Sequence, residues 1–198
     1  MNSRQIEIKL AKGKETENYL DQIAALRIEV FREFPYLYDG DISYEKTYLQ
    51  KYVQSSKSLF VIALSEGNII GFSSALPLID AETEFHKTFL DNNLNLKKFF
   101  YFGESVLKKD FRGQGIGVKF FEEREKHASS FQEIENCCFC AVDRPSNHPL
   151  RGDYQSLDNF WTKRGYFKED KLKANLKWKD IDLQEETTKS LNFWLKKI

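Results

Sequence analysis

Apolar positions recur with helical spacing over residues 17–34, where Leu20, Ile23, Ala24, Ile28 and Phe31 share one side. Pro35 discourages continuation of that helix. A loop, Tyr36-Leu-Tyr-Asp-Gly-Asp41, separates it from a second predicted helix over 43–54, for which Ser43 would act as a simple N-cap. Two β-rich runs, 59–64 and 69–76, flank Glu66-Gly67-Asn68 and predict an antiparallel hairpin. Pro77 limits its second strand. Residues 81–98 are polar and mostly helical in character, and read as an insertion or a lid. Phe99–Leu107 predicts the next strand, followed by a polar turn, a glycine-rich loop and a helix over 115–131. Residues 137–142 predict a strand, and 156–163 a short helix ended by Gly165. Residues 173–178 alternate weakly, and 184–198 read as an amphipathic C-terminal helix. Its Leu191, Trp194 and Leu195 would cover either the core or a second subunit, as in a homodimer.

Length adds that these elements form a single domain, 1–198, able to bury a sizeable core. The 17 Phe, 9 Tyr and 3 Trp supply the apolar area. Lys plus Arg balance Asp plus Glu at 30 each, so no global field draws the chain to nucleic acid or to a membrane surface. No apolar run approaches the roughly 20 residues that span a bilayer. The polar start, residues 1–14, lacks a secretion signal, and a cytoplasmic location is expected. Cys137, Cys138 and Cys140 lie in one short stretch that suits neither a disulfide framework nor a zinc site. They read as a buried strand in a reducing compartment. His86, His127 and His148 share no metal-ligand spacing, and no metal is expected.

Candidate chemistry begins at Arg112-Gly-Gln-Gly-Ile-Gly117. Glycines between a strand and a helix let successive amides close around an anion, aided by the positive end of the helix. A P-loop would end in Gly-Lys-Ser/Thr, whereas this loop ends Gly117-Val118-Lys119. A dinucleotide fingerprint would place its third glycine one position later. The pattern Arg112-x-x-Gly115-x-Gly117, preceded by Glu104-Ser-Val-Leu-Lys-Lys-Asp-Phe111, resembles the acetyl-CoA motif of the GNAT family of N-acetyltransferases. The order of elements across most of the chain is similar to that family, as is the late stretch Asn159-Phe-Trp-Thr-Lys-Arg-Gly-Tyr166.

The resemblance implies an α/β domain of α+β type, the GNAT fold, with a mixed, mostly antiparallel sheet flanked by helices. It implies that acetyl-CoA is the co-substrate, its pyrophosphate held at Arg112 and Gly113 and by amides of Gln114, Gly115, Ile116, Gly117 and Val118. The backbone of Val106 and Leu107 would pair with the pantetheine arm. The reaction implied is acetyl transfer to a primary amine, on a small molecule or a peptide, by direct attack in a ternary complex.

Direct attack requires a neutral amine, and a lysine-like amine has a pKa of about 10.4. Glu104 is the candidate base: strict alternation puts it on one strand face with Phe100, Phe102 and Val106, where burial would raise its pKa. At the position where many family members carry a tyrosine acid, this chain has Trp161, whose indole is no acid. Tyr154 is the candidate substitute. Asp39 and Asp41, set beside Tyr36 and Tyr38 and followed by Tyr44, Glu45 and Tyr48, would suit a cationic acceptor. Two other readings stand beside this one: a CoA-binding GNAT module without catalysis, which Trp161 favours, and transfer of a longer acyl group.

Overall fold

The computed structural model describes residues 5–198; the first four residues of the polar N-terminal stretch lie outside them. Seven strands form one sheet in the order β1-β2-β3-β4-β5-β7-β6. They are β1 (Ile6–Lys12), β2 (Leu59–Ser65), β3 (Asn68–Pro77), β4 (Phe99–Leu107), β5 (Asn136–Val142), β6 (Phe167–Lys179) and β7 (Glu186–Lys197). Every pairing is antiparallel except β4 with β5. Helices α1 (Leu20–Phe31), α2 (Ile42–Gln54) and α3 (Thr83–Asp91) cover one face, and α4 (Ile116–Ala128) and α5 (Asp158–Thr162) the other. None of these helices is long and apolar enough to cross a membrane.

The expected hairpin forms around Gly67, whose φ of +77° is one that glycine adopts without strain. α2 starts one residue earlier than expected. Its N-cap is Asp41, which accepts from the Tyr44 amide at 2.9 Å, so Ser43 lies inside the helix. Carboxylate caps of this kind satisfy one of the donors a helix start leaves unpaired. Within residues 81–98, α3 packs Phe85 and Phe89 against Phe99, Tyr101 and Phe193.

Two strands depart from the sequence reading. β1, with Ile6, Ile8 and Leu10 alternating against Glu7 and Lys9, was not expected and pairs along its whole length with β2. The C-terminal segment is the strand β7, where a helix was expected. β7 lies between β5 and β6, so both of its edges are paired, and side chains on both of its faces are buried. Leu191, Phe193 and Leu195 enter the core beneath α3, while Trp194 enters the opposite core with Phe139 and Trp161. Apolar residues on both faces of an internal strand produce a run that imitates a helix stripe. Leu191, Trp194 and Leu195 are therefore core residues of this chain.

Candidate active site

The site is organised by an irregularity in β4. Pairing of β3 with β4 shifts between Ser73 and Ala75, so that Gly103 and Glu104 together oppose Ser74. A bulge of this kind turns consecutive side chains to one side and reverses the alternation beyond it. Phe100 and Phe102 accordingly pack toward α4, while Val106 packs toward α1 and α2. Glu104 is thus not among the Phe100 and Phe102 rings, as strict alternation predicts, but on the opposite face. Only glycine fits at 103: a Cβ there would lie 2.2 Å from the Tyr52 hydroxyl and 2.5 Å from Ser74 Oγ.

On that face Glu104 is 5% exposed and fully engaged. Its Oε1 accepts from Arg27, and its Oε2 accepts from Ser74 Oγ and, at 3.3 Å, from Tyr52 Oη. Arg27 also donates to Glu45 and stacks on the Tyr48 ring at 4.4 Å. The result is a buried chain, Glu45–Arg27–Glu104, in place of a carboxyl in an apolar pocket. Arg27, Tyr52 and Ser74 were not singled out as site residues by the sequence, and Glu45 only as an acidic group beside the Asp39–Asp41 loop. Their meeting depends on packing of α1 and α2 on β3 and β4, which local periodicity does not encode.

Beyond Tyr101 the sheet opens. β4 pairs with β5 only over Phe99–Tyr101 and Asn136–Cys138, and among the described residues Phe102–Leu107 has no partner strand on that side. An unpaired strand edge offers donors and acceptors to an extended ligand. The splay runs toward the glycine loop. There Gly113 has φ +78°, and Gly115, with φ +81°, is the residue from which α4 starts. Within α4, Val118 and Lys119 donate to the Gly115 carbonyl, at 3.0 and 3.2 Å. The amides of Ile116 and Gly117 precede the first helical bond and have no helical acceptor. A Cβ added at Gly113 or Gly115 would meet nothing within 4 Å, so the loop faces open space. Gly117 instead packs on α5, where a Cβ would sit 3.4 Å from Phe160 Cζ.

A glycine loop at a helix start, beside an opened strand edge, is an arrangement for a long ligand with an anionic segment. Comparison with known proteins gives the family. The family model described as the Acetyltransferase (GNAT) family matches residues 23–158, more than half of the chain. The chain belongs to the GNAT acetyltransferase family. Members of this family move an acyl group from CoA to an acceptor. No curated protein sequence matches the chain. Among solved structures it is similar to ribosomal-protein-alanine N-acetyltransferase from Brucella melitensis, at 15% identity and TM-score 0.61, covering 97% of this chain and 99% of that one. An acetyltransferase of the GNAT family from Streptococcus pneumoniae shares 13% identity at TM-score 0.61, over 98% and 100% of the two chains. PaiA N-acetyltransferase from Thermoplasma acidophilum, solved with coenzyme A, shares 16% identity at TM-score 0.54, over 98% and 99%. At these identities the likeness is one of fold.

In this GNAT domain several residues singled out by sequence have other partners. Arg112 turns away from the loop: its Nε donates to the Leu107 carbonyl at 3.0 Å and its Nη1 to Glu33 at 2.8 Å. Positive potential at the loop therefore comes from amides and the helix end. Trp161, partly buried, packs edge-on against Phe139 and Trp194 of the core. Tyr154 lies edge-on to Phe34 at 5.0 Å, and burial raises its phenol above the usual range. Burial raises Tyr36 as well, and it is coupled electrostatically to Cys140, Tyr154 and Arg27. Asp39 is bound by Lys179 at 2.6 Å and Arg32 at 3.3 Å, and the Lys179 hydrogen bond holds its carboxyl below the usual range. Asp41 is occupied as the cap of α2. Asp39 is thus paired with cations of the protein itself, while Asp41 is exposed and commits one oxygen, Oδ1, to the start of α2. Burial pushes the Cys137 and Cys140 thiols up to about 12, far from a reactive thiolate.

Proposed function

We propose that the protein is an N-acetyltransferase that moves the acetyl group of acetyl-CoA to a primary amine by direct attack. The observation that carries this reading is the continuity of the opened β4 edge with the glycine loop at the start of α4. The amides of Gln114 to Gly117 bind the pyrophosphate, that of Val118 being committed to the Gly115 carbonyl, with the partial positive charge of the α4 N-terminus behind them. The pantetheine arm lies along Val106 and Leu107, with Arg112 fixing the Leu107 carbonyl rather than contacting phosphate. This places the thioester toward the bulge and Glu104. The CoA held by the similar PaiA structure is consistent with the same ligand here.

Glu104 accepts the proton of the attacking ammonium. Arg27, Ser74 and Tyr52 hold its orientation. Nitrogen then bonds to the thioester carbon, the adduct gives its second N–H proton to water, the C–S bond breaks, and CoA leaves as a thiolate. A raised phenol gives up a proton less readily than a free CoA thiol, whose acidity resembles that of a thiol with pKa about 8.5. Tyr154 therefore stabilises the thiolate by a hydrogen bond, and water supplies the proton. The buried, high-pKa cysteines offer no acyl-carrying nucleophile.

Initial velocities of amine-dependent CoA release, measured over both substrates, test the scheme. Intersecting double-reciprocal lines are expected. Parallel lines, the pattern of a covalent acyl-enzyme, would contradict direct attack, and a protein that binds acetyl-CoA yet acetylates no amine would be a binding module.

A further inference from the structure

Resting on the acetyl-CoA reading above, we infer that Arg124 is a positioning residue that prepares the Ser105 amide to hold the thioester oxygen as it gains charge. Arg124 continues the inward stripe of α4, between Phe120 and Ala128. That stripe is otherwise apolar, and packing alone calls for an aliphatic side chain at this position. Instead a guanidinium is buried there, 1% exposed, against the Phe102 and Phe121 rings at 4.4 and 4.8 Å. Among the described residues no carboxylate forms an ion pair with it. Glu104 turns its carboxylate to the opposite face, and Glu125 is engaged by Tyr166 and Lys196. Burial pulls Arg124 down to about 10, which still leaves it charged at neutral pH. A buried charge without a counter-ion is costly, so its remaining contacts carry the reason for it.

Those contacts converge on the bulge. Nη1 donates to the carbonyls of Ser74 and Glu104, at 3.3 and 3.2 Å, and Nη2 donates to Ser105 Oγ at 2.8 Å. Nε is anchored on the Phe120 carbonyl at 3.0 Å. A bulge interrupts the ladder between its strands, and Arg124 supplies the donor that these two carbonyls lack there. The Glu104 carbonyl belongs to the same peptide group as the Ser105 amide. Register shows where that amide points. The Lys108 amide bonds to Ile70 beside β3, and pairing from Ser105 to Leu107 is regular, so Val106 also turns its backbone groups to β3. Ser105 and Leu107 therefore turn theirs to the opened edge, where Arg112 meets the Leu107 carbonyl. Ser105 is exposed, in keeping with that edge.

A pantetheine arm along Val106 and Leu107 brings the thioester to this amide. When the amine nitrogen bonds to the thioester carbon, the carbonyl π pair moves onto oxygen, and the Ser105 N–H donates to that anion. When the C–S bond breaks, the pair returns to the carbonyl of the product amide. Arg124 acts through the peptide group. A cation bonded at the carbonyl end polarises the peptide and strengthens the N–H at its other end. The guanidinium is charged and fixed before the reaction starts, so no rearrangement is needed as the oxyanion forms.

Infrared spectroscopy of bound acetyl-CoA, carrying carbon-13 at the thioester carbonyl, tests the inference without an acceptor. The wild-type carbonyl stretch is expected below its value in water. That displacement should be lost in Arg124→Met and partly kept in Arg124→Lys, which retains the charge but not the planar fork. With folding checked by thermal unfolding, acetyl-CoA affinity should change by less than about threefold, since backbone amides hold the donor. In Arg124→Met, kcat for amine-dependent CoA release should fall roughly 10- to 100-fold, part of what a whole oxyanion donor contributes. A merely structural role would lower stability and leave the band in place. A wild-type band at or above its value in water, or a displacement that survives in folded Arg124→Met, would overturn the assignment. If Arg124→Met does not fold, Arg124→Lys decides, its displacement having to be smaller than in wild type. If neither folds, the wild-type band decides. An Arg124-dependent displacement in a protein that acetylates no amine would contradict the reaction proposed above and leave this assignment standing.

Discussion

Replacing Gly115 by Val is expected to weaken acetyl-CoA binding by roughly 100-fold or more, equivalent to losing two or more charge-assisted hydrogen bonds. Two effects combine. Gly115 has φ +81°, a conformation that costs an L-residue about 1–2 kcal/mol and a β-branched one more. Its added side chain would also project into the open space of the loop, where the pyrophosphate must approach the amides of Ile116 and Gly117. A control separates the two. Gly67, in the β2–β3 hairpin, has φ +77° and nothing within 4 Å of an added Cβ. Gly67→Val therefore carries a similar backbone penalty away from the site. It should lower thermal stability while leaving the Kd for acetyl-CoA unchanged. Titration calorimetry of both variants checks the pair.

Glu104→Gln is expected to lower kcat by about 10²- to 10⁴-fold, the usual contribution of a positioned base. The variant keeps the shape of the side chain and an oxygen that Arg27 can bond. Arg27 also retains Glu45 as a partner, so the buried chain is weakened rather than left with an unmatched charge. Acetyl-CoA affinity should change less than threefold, the donor being held elsewhere by backbone. The split between kcat and Kd is the diagnostic part. A kcat within a factor of three of wild type would reduce Glu104 to a counter-ion that holds α1 against β4.

Much of the frame from β2 to α4 was readable in the sequence because each piece carries a local signal. The hairpin has alternating runs on either side of Gly67, and the loop has glycines at the point where a strand pattern gives way to a helix pattern. The errors have physical causes. Glu104 was assigned to the wrong face because a single extra residue at Gly103 reverses alternation, and periodicity alone does not show a bulge. A glycine in the middle of β4 was the available hint. β7 was mistaken for a helix because helices cover it on both sides, and Thr187, Thr188, Phe193 and Trp194 were the β-forming residues that argued otherwise. β1 was overlooked although its apolar positions alternate.

The acceptor side was the least legible part. Asp39 and Asp41 stood out because they are acidic, close together and set among tyrosines. Their fate depends on Lys179 and Arg32 for one and on the start of α2 for the other. Glu45, only four residues after Asp41, stood out in sequence only as one more acidic group beside that loop. It is buried because Arg27 of α1 draws it inward, and a contact between two helices is not written in either helix alone.

The central claim is that loop amides and the opened edge of β4 hold acetyl-CoA. Amide hydrogen exchange with and without acetyl-CoA reads those groups directly. Slowed exchange confined mainly to Gln114–Gly117 and to the β4 edge near Val106 and Leu107 is the predicted result. Saturating acetyl-CoA that leaves these amides unprotected, or protects a different face of the sheet, would contradict the account.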